Sequence, residues 1–116
     1  MLKCALRNFA VAAMLGPACV AVTGPVFAAD VPGAAQLEEG KVLFQSGAVP
    51  ACAICHTLED ADATGGIGPN LDELKPDMQR VLQALKSGLG PMPSYESVLS
   101  EDEMNAVAAY VANATK

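Results

Sequence analysis

The chain places two cysteines and its one histidine in a single run, Cys52-Ala53-Ile54-Cys55-His56. Cys-x-x-Cys-His is the spacing that attaches a c-type haem. Two thiols three positions apart on a helical turn reach the two vinyl groups on one side of a porphyrin and form thioethers. The next side chain, His56, then presents Nε2 to the iron from the proximal face. Other uses of these residues meet obstacles. A disulfide between Cys52 and Cys55 closes a very small, strained loop. A thioredoxin-like dithiol requires a preceding strand and a central sheet, and no stretch of the sequence shows sustained period-two alternation. A zinc site is short of ligands with two Cys and one His.

His56 is the only histidine, so a second imidazole cannot come from the same chain. The soft donors downstream are Met78, Met92 and Met104. Met78 and Met104 fall on apolar helical stripes, where core packing is the ordinary role of methionine. Met92 sits between Pro91 and Pro93 in a glycine-rich loop and has no stripe to join. Thioether ligation gives a reason for an apolar side chain there. The alternative is packing on the haem rim. The 36 positions from His56 to Met92 leave room for a loop and a helix that carry the chain around the haem edge.

The elements that must position these residues read as helices and loops. One helical segment covers 35–45, with Leu37, Lys41 and Phe44 at i, i+4, i+7 and Gly40 between them. A second covers 76–87, with Pro76 in a permissive first turn, Met78, Val81, Leu82 and Leu85 on one stripe, and Gly88 as a C-cap. A third follows Ser100, which pairs with Glu103 as a capping box while Leu99 staples onto Met104. Its stripe is Met104, Val107, Ala108 and Val111. Two Gly/Pro-rich stretches, 64–70 and 88–93, cannot be regular helix because each Pro restricts the residue before it. The expected fold class is all-α, with three to five helices. Loops this long in so small a domain usually do something or wrap something.

The first 28 residues read as a secretory signal peptide: Lys3 and Arg7 open it, 9–22 carries no charge, and Val26-Phe27-Ala28 offers small-residue cleavage chemistry. The alternative is an uncleaved anchor, against which stand Gly16, Pro17, Gly24 and Pro25. Removal leaves residues 29–116 as one domain, with Cys52 and Cys55 as its only cysteines and five basic residues against thirteen acidic ones, a formal charge of −8. Such a surface excludes nucleic acid and anionic membrane as partners. Export also agrees with haem attachment, which takes place outside the cytoplasm, and points to the periplasm.

Over nearly its whole length the domain resembles a class I cytochrome c of the small bacterial kind. The matching residues are Cys52, Cys55 and His56, then Gly68-Pro69-Asn70-Leu71, then Gly90-Pro91-Met92-Pro93, and a first and last helix carrying Gly40, Phe44, Val107 and Tyr110. The resemblance implies a monohaem cytochrome c domain over 29–116, with helices wrapped around one haem c bound covalently through Cys52 and Cys55. It implies that the first and last helices cross at Gly40 with Phe44 and Tyr110 packed there. It also implies that the Pro69 carbonyl accepts a hydrogen bond from His56 Nδ1, which fixes the imidazole tautomer. Two departures stand out. The mitochondrial members carry a lysine ring around the haem edge, whereas this domain is acidic. The family's usual tryptophan partner for a haem propionate is missing, leaving Tyr95, Arg80 and Lys75 as candidates.

The expected function is one-electron transfer with both axial positions filled, by His56 and Met92, and not enzymatic turnover. Electrons would pass at a flat edge formed by small or apolar residues such as Ala53, Gly66 and Ile67. Partners would carry a positive docking patch: a periplasmic dehydrogenase on one side, an oxidase or other cytochrome on the other. General resemblance leans toward a molybdenum enzyme such as a sulfite dehydrogenase as donor. The carrier alone is expected to be a monomer, with no membrane contact after signal removal. The acidic run Glu59, Asp60, Asp62 reads first as a solvated loop and second as part of a docking patch. The competing functions are a five-coordinate haem enzyme or gas sensor in which Met92 does not bind, a haem subunit active only inside a stable complex, and a dithiol oxidoreductase.

Overall fold

The structure is a computed structural model that describes residues 31–116; the signal segment expected over 1–28 lies outside the described residues. Four α-helices occur in the described chain: α1 (Ala34–Val42), α2 (Leu71–Leu74), α3 (Met78–Ser87) and α4 (Glu101–Ala114). The expected all-α class holds. One element lies outside it, a hairpin of two-residue strands, β1 (Thr57–Leu58) and β2 (Ala63–Thr64), paired Thr57 with Thr64 and Leu58 with Ala63. Runs of two residues leave no alternation to read in a sequence. The reversal between them is made by Asp62, at φ 51.

Helix starts follow from local side-chain chemistry. Asn70 Oδ1 accepts from the N–H groups of Asp72 (2.9 Å) and Glu73 (3.4 Å) at the start of α2. At α3 the cap is Asp77, whose Oδ1 accepts from the Arg80 N–H at 2.8 Å. The helix therefore begins after Pro76, not at it as the sequence suggested: a carboxylate at the cap satisfies an orphan N–H that proline in the first turn does not. Pro76 is buried just outside the helix. The capping box of α4 is complete, with Ser100 N–H donating to Glu103 Oε2 (2.7 Å) and Glu103 N–H donating to Ser100 Oγ (3.2 Å). The Ser100 N–H and hydroxyl hold the Glu103 carboxyl below its ordinary range. α3 ends at Gly88, whose φ of +68 suits glycine.

The core forms where α1 crosses α4 and α3 packs on α4. Leu99 and Met104 are both buried in it, as are Val107, Ala108 and Val111 of the α4 stripe. α1 runs on into one wide π-helical turn, Leu43–Gly47, that buries Leu43 and Phe44. Phe44 meets Tyr110 edge to face at 6.1 Å between ring centroids. Gly40 lies against the backbone of α4: a Cβ there would stand 2.2 Å from the Ala106 carbonyl oxygen. The crossing expected from Gly40, Phe44 and Tyr110 is thus present in detail. Met78 departs from expectation. It is half-buried and lines a separate groove with Pro32, Glu39 and Asp102 outside the main core cluster.

Within the acidic run, Asp60 is engaged by this packing. Tyr110 donates to Asp60 Oδ2 at 2.6 Å, and Lys41 Nζ lies 3.2 Å from the same oxygen. Asp60 therefore ties the turn after β1 to α1 and α4 and is not a free docking charge. The Tyr110 hydroxyl and Lys41 hold the Asp60 carboxyl below its ordinary value. Burial, with Asp60 beside it, raises the Tyr110 phenol. A carboxylate with a depressed native pKa contributes stability above the unfolded pKa of about 4 and loses it as pH falls through the native value. A raised phenol contributes below about pH 10 and loses that contribution above it. Stability is thus expected to fall at both ends of this window. Asp60→Asn should flatten the acid limb in urea melts taken from pH 3 to 6; an unaltered acid limb would show that other carboxylates govern it.

Candidate haem-binding site

Cys52 lies on a 3-10 turn, Cys52–Ile54, and the Cys52 carbonyl accepts from the N–H groups of both Cys55 (3.1 Å) and His56 (2.9 Å). One turn therefore carries both thiols and the imidazole. Cys52 is buried and Cys55 half-buried. The loop that follows β2 braces this turn. Gly68 N–H donates to the Cys55 carbonyl (2.8 Å), and Thr57 Oγ1 donates to the Gly65 carbonyl (2.9 Å). A Cβ on Gly65 would lie 2.6 Å from the Ile54 carbonyl oxygen, so only glycine lets the loop lie against the turn.

His56 Nδ1 is 2.9 Å from the Pro69 carbonyl oxygen. A carbonyl only accepts, so Nδ1 carries the proton and Nε2 keeps its lone pair for a Lewis acid. Gly68 lies flat against the same ring, where a Cβ would sit 2.6 Å from Cε1 and 2.8 Å from Nδ1. Gly68→Ala is accordingly expected to tilt the imidazole, shifting the ferric absorption spectrum and the reduction potential while both thioethers stay intact. Equal potentials in the variant and the wild type would show that the ring accommodates the methyl.

Cys52, Cys55, His56, Gly68 and Pro69 line one cavity of about 770 Å³. That size is within the roughly 300–1,000 Å³ of cofactor pockets. Its walls are mainly apolar and include Phe44, Leu71, Val81, Leu85, Val107 and Val111. Val81 and Leu85 belong to the stripe read as core, so that face of α3 serves the cavity as well. Pro50, Ala51, Ala84 and Leu89 also line it and were not singled out from the sequence; none carries chemistry that would betray it. Of the three methionines after the Cys-x-x-Cys-His run, Met92 lines the cavity and Met78 and Met104 do not. Met92 is held in a tight turn by reciprocal backbone bonds with Leu89, both 3.0 Å. Gly88 and Gly90, at φ +68 and +57, make that turn. Cys52, Cys55, His56, Pro69 and Met92 therefore meet at one site. Two thiols, an imidazole with a free Nε2 and a thioether around an apolar cleft fit a covalently bound, six-coordinate haem.

Of the propionate candidates, Arg80 and Tyr95 line the cavity and Lys75 does not. The Tyr95 hydroxyl donates to the Pro50 carbonyl at 2.7 Å, which uses its single proton. A carboxylate needs a donor, so Arg80 is the better placed of the two.

Residues 35–111 match the family model described as "Cytochrome C oxidase, cbb3-type, subunit III". The chain belongs to this cytochrome c family. The cytochrome is 49% identical to the c-type cytochrome SorU from Sinorhizobium meliloti, whose crystal structure it matches with a TM-score of 0.68 over 70% of this chain and 92% of that one. It is also 28% identical over 74 residues to cytochrome c-551 of Halorhodospira halochloris, covering 63% of this chain and 94% of that one. It is a class I monohaem cytochrome c that carries a covalent haem c, and an electron-transfer protein and not an enzyme. No helix of the described residues is long and apolar enough to cross a membrane.

Proposed function

We propose that this cytochrome is a periplasmic one-electron carrier, with Cys52 and Cys55 as the thioether anchors and His56 and Met92 as the axial ligands. The observation that carries this reading is the convergence of His56, fixed through Nδ1 on Pro69, and Met92 on one apolar cavity. The bound haem supplies one-electron exchange between ferrous and ferric iron. The chain's own part is to hold an imidazole and a thioether in place, leaving no open position for a substrate or O₂. Burial and a sulfur ligand favour the ferrous state and so a positive potential. The test is an absorption spectrum of the purified protein, oxidised and then dithionite-reduced. A sharp ferrous α-band together with a weak far-red ferric band from methionine sulfur is expected. An α-band without the far-red band would favour the five-coordinate enzyme or sensor instead.

The segment 1–28 acts in this reading as the export signal, leaving 29–116 as the mature, monomeric carrier. Ile54, Ile67 and Leu89 are well exposed, and the latter two also line the cavity. They offer a small apolar contact for brief redox encounters. A charge of −8 on the mature domain, read from the sequence, steers it to partners with a positive patch. Those partners are a periplasmic dehydrogenase as donor and an oxidase or other cytochrome as acceptor, with a sulfite dehydrogenase the first donor to try. The second-order rate of reduction by the donor should fall as salt rises, because screening weakens the attraction. A rate that climbs with ionic strength would reverse the sign of the partner's patch.

A further inference from the structure

The Met92 loop and the haem-attachment turn are separate stretches of chain, and few hydrogen bonds connect them. The loop is fastened mainly to the end of α3. Leu89 and Met92 bond to each other, Ser94 Oγ donates to the Lys86 carbonyl at 2.6 Å, and Tyr95 N–H donates to the Leu85 carbonyl at 2.8 Å. None of these reaches the segment leading into Cys52. The bond that does so, among the described residues, is the one from the Tyr95 hydroxyl to the Pro50 carbonyl, at 2.7 Å between positions 45 apart. Tyr95 is suited to that work. Its carbonyl accepts from the N–H groups of Val98 (2.9 Å) and Leu99 (2.8 Å), so its main chain is fixed on both sides. The residue is 4% exposed and forms part of the cavity wall. Burial raises the phenol, so the hydroxyl remains a donor at neutral pH.

We infer that Tyr95 is a positioning residue: its bond to Pro50 holds the Met92 loop closed against the segment carrying Cys52 and Cys55, and so sets how readily an outside ligand displaces Met92. This rests on the reading of Met92 as an axial ligand. On this reading the thioether withdraws only when the Tyr95–Pro50 bond breaks. Tyr95→Phe removes that bond and keeps the ring in the wall, so the variant should fold and retain its haem.

The experiment titrates the ferric holoprotein with imidazole, following loss of the far-red band. Tyr95→Phe is expected to bind imidazole about fivefold more tightly than the wild type, the factor that one lost neutral hydrogen bond gives. Glu103→Gln, which weakens the α4 cap and leaves the Tyr95–Pro50 bond intact, should leave imidazole affinity at the wild-type value. A wild-type far-red band with equal imidazole affinity in wild type and Tyr95→Phe overturns the latch alone. Equal tightening in Tyr95→Phe and Glu103→Gln also overturns it, because general loosening would then explain the effect. A wild-type protein without the far-red band overturns the ligand reading and this inference with it.

Discussion

Met92→Ala is expected to abolish the far-red ferric band, to lower the reduction potential by an amount on the order of 0.1 V, and to let the ferrous protein bind CO rapidly. The thioether is the soft donor that the 88–93 loop brings to the cavity, and alanine has none to offer. Water or a stronger-field donor then takes the sixth position and favours the ferric state. The fold should survive, because both cysteines, His56 and the α1–α4 crossing lie elsewhere. Met78→Ala is the matching control. Met78 lines a separate groove, so that variant should keep the far-red band and exclude CO. A far-red band that persists in Met92→Ala would exclude this methionine as the ligand.

The second large effect is on stability. Gly40→Ala should cost about 3 kcal/mol, at the upper end of the range for overpacked sites. The added Cβ would sit 2.2 Å from the Ala106 carbonyl oxygen, 2.7 Å from its carbon and 2.6 Å from Tyr110 Cβ. Two of the three obstructing atoms are backbone, which cannot swing aside as a side-chain tip would. The helices must therefore separate, loosening the Phe44–Tyr110 contact and the Tyr110–Asp60 bond with it. For a domain of this size, that loss lowers Tm by more than about 10 °C. Gly33, just before α1, has nothing within 4 Å of an added Cβ, so Gly33→Ala should melt close to the wild type. Thermal denaturation followed by circular dichroism separates the two. Similar melting of Gly40→Ala and wild type would show that the crossing tolerates a wider spacing.

The features legible in the sequence are those made by residues near one another in the chain. The Cys-x-x-Cys-His turn, the Ser100–Glu103 box, the Gly88 stop and the isolation of Met92 between two prolines are each settled within a few positions, where backbone geometry and short hydrogen bonds decide. Pro76 marks the limit of such local signals. Both Pro76 and Asp77 suit a helix start, and the bond from Arg80 N–H to the Asp77 carboxylate chose between them. Resemblance to a family extended the reading to the Gly40 crossing and the Pro69 carbonyl, which lies 13 positions from His56. Tertiary structure alone decided what has no local signature. It gave the exposed Asp60 carboxylate a second role as the tie between Tyr110 and Lys41, 50 positions from the tyrosine. It directed the Tyr95 hydroxyl to the Pro50 carbonyl, it placed Val81 and Leu85 against the cavity, and it moved Met78 out of the core. In each case the partner is brought up by the packing of other helices. A side chain of given type offers the same donors wherever it stands, and only the folded path of the chain determines which acceptor it meets.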